Sequence, residues 1–124
     1  MKNILLIGFG GFVGSVARYF VSKLNLYWNF LSIPIGTLTV NVLGCFILGF
    51  LTGVTEKSAI LTVNFRLFLM VGFCGGFTTF STFANENLML MHTGQIVSIA
   101  IYTALSIILG FLGVYFGYVT SNLL

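Results

Sequence analysis

Charged residues are scarce in this chain of 124 residues, which has five Lys or Arg, two Glu and no Asp, together 6% of the total. A soluble domain usually carries roughly 25% charged residues, so the chain lacks the polar surface that water requires. This scarcity excludes a soluble enzyme, a nucleic-acid binder and a disordered chain. Apolar residues are abundant instead, at 58%, and they predict a membrane protein.

Four apolar segments fit into this length. A helix needs about 20 mostly apolar residues to cross the hydrocarbon layer, and polar or helix-stopping residues gather at 25–32, 55–58 and 85–95. The sequence therefore predicts an all-α membrane protein with a single four-helix transmembrane domain over residues 1–124. The predicted spans are 4–24, 34–54, 61–83 and 96–120. A signal peptide is the alternative for the first segment, although its apolar run exceeds the usual length of about 7–15 residues.

The basic residues give little bias in orientation. Counted along four spans, Lys2, Lys57 and Arg66 fall on one side of the membrane, and Arg18 and Lys23 on the other. Loops rich in Lys and Arg normally stay on the cytoplasmic side. Two interpretations remain open: other cues select one orientation, or the chain inserts both ways and pairs with its own inverted copy.

Small residues recur at helical spacing. Glycines four residues apart allow helix backbones to approach closely, which is how helices associate in lipid. Three such pairs are Gly10 and Gly14, Gly49 and Gly53, and Gly113 and Gly117. They predict tight helix packing and an oligomer. Cys45 and Cys74 lie in different predicted spans, so both are expected to be free thiols.

The third predicted span has three glycines and four hydroxyl residues between positions 72 and 82, which argues against an unbroken helix. An interrupted helix exposes carbonyl groups at the end of one half and N–H groups at the start of the next. The carbonyl end suits a cation and the N–H end suits an anion. A continuous helix softened by glycine is the alternative.

Polar and aromatic groups accompany this stretch. Phe80 and Phe83 share a helical face, and the positive edges of two rings can line an anion path without any formal charge, although such pairs are also common in helix packing. Donor groups in the predicted spans are Ser81, Thr82, Thr37, Asn41, Tyr102 and Ser106. Glu56 and Glu86 are expected near span ends, leaving no carboxylate within the membrane. This inventory favours a small anion that accepts strong hydrogen bonds, with interhelical bonding as the alternative role for Asn41.

Three collinear motifs resemble the Fluc/CrcB fluoride channel family. They are residues 11–19 (GFVGSVARY), 36–44 (GTLTVNVLG) and 72–83 (GFCGGFTTFSTF). The pair Tyr102 and Ser106 fits the family as well. The resemblance covers nearly the whole chain, and the third motif is its most specific part.

The resemblance implies an assembly and a metal site. The family forms antiparallel, dual-topology homodimers of four-helix subunits, with the third helix broken in mid-membrane and two fluoride pores at the dimer interface. A structural sodium ion (Na+), which is not transported, would be held by the backbone carbonyls of Gly75 and Thr78 of both subunits.

The resemblance also implies roles for side chains. Phe80 and Phe83 would line the pore with their ring edges, and Asn41 would be the pore asparagine. Arg18 would have a vestibule or structural role, with an arginine that simply reaches to the membrane interface as the alternative. Further polar residues on the pore side would be Ser81, Thr82, Thr37, Tyr102 and Ser106.

The expected function is that of a fluoride-selective channel in the inner (plasma) membrane, which passively exports cytoplasmic fluoride and lowers its toxicity. Its partners would be a second copy, fluoride and the lipid bilayer, with no nucleic acid and no enzymatic activity. A small dual-topology, proton-coupled multidrug antiporter is the alternative, and it would need a carboxylate within the membrane. A membrane subunit without transport activity is a third possibility. His92 is expected in a loop after the third span.

Overall fold

The protein is all-helical in the computed structural model, which describes residues 1–57 and 61–124. Four helical stretches in this described part are long and apolar enough to cross a membrane. They are Lys2–Tyr27, Ile35–Lys57, Val63–His92 and Ile96–Ser121. The prediction of four spans in an all-α membrane protein is confirmed.

The first span ends in a short second helix, and a small hairpin joins it to the second span. The elements in order are α1 (Lys2–Ser22), α2 (Leu24–Tyr27), β1 (Asn29–Phe30), β2 (Ile33–Pro34) and α3 (Ile35–Lys57). Strands β1 and β2 are antiparallel, with Phe30 opposite Ile33. The predicted break at 25–32 is therefore structured, and the predicted break at 55–58 begins later, because α3 continues to Lys57 and Ser58 lies outside the described residues.

The third span is composite, whereas the fourth is a single helix. The third consists of α4 (Val63–Arg66), a π-helical segment (Leu67–Cys74), α5 (Gly75–Phe77) and α6 (Phe80–His92). The fourth is α7 (Ile96–Ser121). The π-helical segment was not predicted from the sequence.

Glycines on α1 set its contact with the π-helical segment. A Cβ on Gly10 would collide with the carbonyl oxygen of Phe68, and a Cβ on Gly14 would collide with that of Phe73. Since backbone atoms cannot move aside as a flexible side chain can, only glycine fits at these two positions. The first predicted glycine pair is therefore confirmed as a close helix contact.

The other two glycine pairs lie between α3 and α7. Gly49 approaches the carbonyl oxygen of Val114, and Gly117 approaches that of Phe46. Gly53 lies against Ser121 in the same interface, and Gly113 lies against α3 near Cys45. The bundle thus consists of two glycine-packed pairs of spans, whereas the oligomer remains a prediction.

The buried core is small and most large apolar side chains point outward. One buried cluster contains Ile33, Leu38, Leu90 and Tyr102. By contrast, side chains such as Ile4, Leu5, Phe9 and Phe111 are mostly exposed. Exposed apolar surface of this extent is expected of a bundle that faces lipid instead of water.

The third span is longer than predicted, and the expected end at residue 83 is wrong. Helix α6 continues to His92, and only residues 93–95 separate it from α7. The polar residues beyond Phe83 do not break the helix, and Asn87 Nδ2 donates to the Phe83 carbonyl oxygen of the same helix at 3.1 Å. The helix stops at Gly94, whose φ of 72° lies in the left-handed region. His92 accordingly ends a helix and is not in a loop.

Candidate functional site

The polypeptide leaves the helical conformation at two residues in the middle of the third span. Thr78 (φ −79°, ψ 158°) and Thr79 (φ −153°, ψ 119°) have extended backbones between α5 and α6. Thr79 caps the second helical segment, since its Oγ1 accepts a hydrogen bond from the Thr82 N–H at 3.2 Å. Threonine suits this position because its hydroxyl replaces a missing carbonyl partner at the start of a helix.

Asn41 on α3 holds the extended pair in place. The Thr79 N–H donates to Asn41 Oδ1 at 2.8 Å, and Asn41 Nδ2 donates to the Thr79 carbonyl oxygen at 3.1 Å. Asn41 is a site residue predicted from the sequence, whereas its partner Thr79 is not, although the position of Thr79 before Phe-Ser-Thr is typical of a helix N-cap.

Two backbone N–H groups near the extended pair do not make the hydrogen bonds of a continuous helix. In an α-helix the N–H of residue i bonds to the carbonyl of residue i−4, so the Thr79 N–H would pair with Gly75 and the Thr82 N–H with Thr78. Both N–H groups donate to side chains instead. The carbonyls of Gly75 and Thr78 therefore lose their helical partners, and the space above Gly75 is open.

A groove of about 360 Å³ opens beside the extended pair. Its lining contains no charged side chain. The residues are Asn41, Gly44, Cys45, Leu48, Met70, Cys74, Gly75, Thr78, Thr79, Phe80 and Phe83. The groove thus brings together Asn41, both residues whose carbonyl oxygens are the predicted sodium ligands, and both predicted ring residues.

The two phenylalanine rings lie at the start of α6. Their centroids are 5.7 Å apart with an interplanar angle of 44°. Phe80 is 79% exposed, whereas Phe83 is half-buried and its ring meets Tyr102 edge-on at 5.0 Å. Phe80 therefore lies at the open side of the groove, and Phe83 connects the groove to the interior of the bundle.

A second polar cluster surrounds Glu86, one helical turn beyond Phe83. Thr37 Oγ1 donates to Glu86 Oε1 at 2.6 Å, and the Tyr102 hydroxyl donates to Glu86 Oε2 at 2.7 Å. Thr37 and Tyr102 are fully buried and Glu86 is half-buried. Asn25 Nδ2 donates to Thr37 Oγ1 at 3.3 Å, which extends the network to the end of the first span.

Glu86 therefore belongs to the helix that ends the third span at His92, and the expectation that no carboxylate lies within the membrane stays a prediction. The sequence predicts that the third span stops at Phe83 and that the polar residues 85–87 form a loop, whereas these residues lie in α6. Phe83 and Glu86 are three residues apart, which places them on neighbouring parts of one helical face. That spacing could have located Glu86 had the helix been predicted to continue.

The remaining predicted residues are more dispersed. Ser81 and Thr82 are exposed at the start of α6, and Thr79 Oγ1 donates to Thr82 Oγ1 at 3.0 Å. Ser106 lies on α7 with a buried hydroxyl that has no hydrogen-bond partner among the described residues, and it lines a separate groove with Cys45. Arg18 is half-buried on α1 and outside the lining of the main groove.

Soft-metal chemistry has little support in the side chains. No cluster of three or more His, Cys, Asp or Glu occurs within residues 1–57 and 61–124. Cys45 and Cys74 are free thiols, as predicted. Backbone carbonyls beside the groove would suit a hard cation instead, since such ions prefer oxygen ligands.

Comparison with known proteins identifies relatives over nearly the whole chain. The sequence model of the family described as "CrcB-like protein, Camphor Resistance (CrcB)" matches residues 5–118. A protein from Azobacteroides pseudotrichonymphae named "Fluoride-specific ion channel FluC" is 43% identical over 122 residues, which cover 98% of each chain. A FluC protein from Nitratidesulfovibrio vulgaris is 43% identical over 99% of each chain, and one from Chlorobium phaeobacteroides is 44% identical over 94% of this chain and 92% of its own. With four spans and this similarity, the chain is a multi-pass membrane protein and belongs to the CrcB-like family.

Proposed function

We propose that the protein is a fluoride-selective ion channel that passively exports cytoplasmic fluoride. The proposal rests mainly on its similarity to proteins named as fluoride-specific channels, which covers 98% of both chains in one case. The uncharged groove beside Asn41, Phe80 and Phe83 agrees with this function. The relatives are bacterial, which fits a location in the plasma membrane, and they are named as channels and not as enzymes.

The fluoride path would begin at the exposed ring of Phe80. Fluoride is a small anion that accepts strong hydrogen bonds, and removing its water is costly unless other donors replace it. Ring edges at Phe80 and Phe83 would offer partial positive charge, and the hydroxyls of Ser81 and Thr82 would offer donors. Asn41 would act by fixing the backbone turn that presents these groups.

The polar cluster around Glu86 would continue the path towards the end of the bundle. Thr37 and Tyr102 each point a hydroxyl at the carboxyl group. Those hydroxyls, predicted as pore-side donors, are already engaged in the single subunit. We propose that an anion arriving at Phe83 competes with Glu86 for the same hydroxyl donors.

A sodium ion would occupy the site formed by the carbonyls of Gly75 and Thr78. The N–H groups that would bond to these carbonyls in a continuous helix donate to Asn41 and to the Thr79 hydroxyl instead. The two carbonyl oxygens are therefore free to act as ligands, and oxygen ligands fit a hard cation. One subunit supplies only these two groups. A second, antiparallel copy placed against the open groove would double the oxygen ligands and complete the site, and the even distribution of basic residues agrees with dual topology.

The membrane potential would drive export without fuel. Hydrogen fluoride enters a cell as a neutral weak acid and dissociates in a more alkaline cytoplasm. An inside-negative potential supplies about 2.3 kcal/mol per charge per 100 mV, which corresponds to roughly fifty-fold in concentration. A selective pore is sufficient to lower cytoplasmic fluoride under these conditions.

The proton-coupled antiporter is a weaker proposal than the channel, and Glu86 is the residue that bears on it. Such a carrier needs a carboxylate within the membrane, and Glu86 is a half-buried carboxylate in the helix that ends the third span. The relatives, however, are named as fluoride channels, and the two hydroxyls bound to Glu86 leave the carboxyl group little freedom to exchange protons with a bulky cargo. We therefore retain the channel as the proposed function.

Liposome flux is the direct test. The purified protein is reconstituted into vesicles loaded with potassium fluoride or potassium chloride, and efflux is recorded with ion-selective electrodes after addition of valinomycin. We expect fast loss of fluoride and retention of chloride, with protein-free vesicles as the control. Equal rates for the two halides would refute selectivity. Substrate-driven proton uptake without fluoride efflux would favour the antiporter.

A further inference from the structure

The connection between the first two spans is apolar on its outer side. Tyr27, Trp28 and Phe30, which we call the aromatic anchor, are mostly exposed, with Trp28 at 67%. Leu26 and Leu31 beside them are exposed as well. A cluster of large apolar side chains in an exposed connection marks an interaction surface. The proposed fluoride path uses none of these residues.

The hairpin that carries the anchor is fixed to the bundle on its other side. Ile33, opposite Phe30 in the hairpin, is only 2% exposed and packs in the cluster with Leu38 and Leu90. The anchor therefore faces outward because the inner side of the hairpin is held in the core. The turn uses Leu31 and Ser32 with φ of 52° and 57°, where Asn and Gly are usual. Leu31 thus adds another apolar side chain at the tip, despite the conformational cost.

The depth of the anchor follows from helix α1. Its 21 residues rise about 31 Å at about 1.5 Å per residue, which matches the ~30 Å hydrocarbon layer. Lys2 begins this helix and Lys23 directly follows it, so the two charges bracket the hydrocarbon. Trp28 follows Lys23 by five residues in the sequence, so a membrane bracketed in this way has its surface near Trp28.

Lys23, at the end of α1, places its ammonium group over two exposed rings of that helix. Its Nζ lies 4.9 Å from the ring centroid of Tyr19 and 5.3 Å from that of Phe20. Both rings are exposed. Exposed aromatic side chains thus occur at the end of α1 and again in the hairpin, and the Lys23 ammonium group lies at the end of α1 between them in sequence.

We infer that the aromatic anchor, together with Lys23, is seated in the headgroup layer of the phospholipid bilayer. Trp and Tyr are enriched at this depth because their rings are apolar and their polar atoms can bond to water and headgroups. The Lys23 ammonium complements the phosphates. Since the hairpin is tied to the core through Ile33, the anchor fixes the depth of α1 and α3 together. This inference is independent of the transported ion.

Trp28 allows a clean test because it is the only tryptophan in the chain. The full-length protein is reconstituted into vesicles of phosphatidylcholine brominated at either shallow or deep positions of the acyl chain, and tryptophan fluorescence is measured. Shallow bromines are expected to quench at least about twofold more than deep ones, as an interfacial ring requires. Acrylamide in the aqueous phase is added as a second quencher.

The matched control moves the tryptophan to the middle of a span. In the variant Trp28→Phe with Phe111→Trp, the new probe replaces a side chain that is 75% exposed near the middle of α7, and deep bromines should quench more. Three outcomes for the native protein would overturn the inference. Quenching by acrylamide alone would place the anchor in water, quenching by neither reagent would place it under protein such as a second copy, and stronger quenching by deep bromines would place it in the hydrocarbon.

Discussion

Asn41 and Thr79 exchange two hydrogen bonds between α3 and the extended backbone of the third span, at 2.8 and 3.1 Å. The Asn41 amide thereby takes the place of the helical partners that the Thr79 backbone lacks. A single side chain of the second span thus stabilises the conformation on which the groove depends.

Replacing Asn41 with Ala should disable the channel without unfolding the bundle. Both Thr79 backbone groups would lose their partner, and each unsatisfied buried group costs about 1–3 kcal/mol. We expect fluoride efflux from proteoliposomes to fall by at least about tenfold, corresponding to ~1.4 kcal/mol in the barrier. Thr39→Val is the matched control on α3, since Thr39 bonds only to the Ile35 carbonyl of its own helix. Equal activity of the two variants would contradict the role of Asn41.

Replacing Phe80 or Phe83 with Ile should suppress fluoride efflux by at least about tenfold. Isoleucine keeps an apolar side chain but lacks the positive ring edge that would face the anion. The exposed ring of Phe111 on α7 provides the control, because Phe111→Ile removes an aromatic ring outside the groove. Efflux and elution volume in size-exclusion chromatography are both measured. Normal efflux in both groove variants would exclude these rings from the path.

The two hydroxyls on Glu86 should be energetically coupled. Thr37→Val and Tyr102→Phe each remove one donor from the carboxyl group, and each should lower the free energy of unfolding by about 1–3 kcal/mol. Their combined effect should depart from the sum, since both act on one carboxyl group. Denaturation in detergent micelles measures these changes.

A second tyrosine–glutamate pair provides the comparison for this cycle. The Tyr118 hydroxyl donates to Glu56 Oε2 at 2.8 Å in an exposed environment, so Tyr118→Phe should cost less than about 1 kcal/mol. If Tyr102→Phe is no more destabilising than Tyr118→Phe, the Glu86 cluster does not have the importance assigned to it.

Gly14→Ala should separate α1 from the third span. The added methyl group would collide with the carbonyl oxygen of Phe73, and overpacking of this kind typically costs about 1–3 kcal/mol. Gly8→Ala is the control, because a Cβ at Gly8 meets no atom within 4 Å and alanine is the better helix former by about 1 kcal/mol. We expect a lower melting temperature for the first variant and an unchanged or higher one for the second.

Removal of sodium should abolish fluoride efflux if the carbonyls of Gly75 and Thr78 hold a structural ion. Two facing carbonyl groups repel each other without a cation between them, so the proposed dimer would loosen at this point. Efflux is compared in sodium buffer and in a buffer with a large organic cation, and sodium is then restored. Full activity without sodium would argue against the metal site while leaving the fluoride proposal open.

Much of the fold follows from the sequence because the bilayer imposes simple demands. Apolar length fixed the number of spans, and the three predicted glycine pairs lie in two close helix contacts, α1 with the third span and α3 with α7. The end of the third span could not be obtained in this way. Residues 85–87 resemble a loop in composition, and only the positions of Thr37 and Tyr102 on other helices show that Glu86 has partners inside the bundle.

The sequence predicted several residues of the candidate site but not the hydrogen bonds between them. Residue types pointed to Asn41, Phe80 and Phe83, and the groove brings these three together. The pairing of Asn41 with Thr79 depends on contact between elements 38 residues apart, which local spacing does not encode. Ser106, by contrast, lines another groove of the single subunit, because its position on α7 is set by packing against α3.

The number of residues in the π-helical segment Leu67–Cys74 determines how the site residues after it are oriented. Gly10 and Gly14 are four residues apart on α1, but the carbonyls that they approach, at Phe68 and Phe73, are five apart. Each residue added to or removed from a helix rotates everything downstream by about 100°. Deleting one residue from this segment would turn Gly75 and Phe80 away from the groove while preserving every residue type, so single-residue insertions and deletions here should be tolerated far less than substitutions.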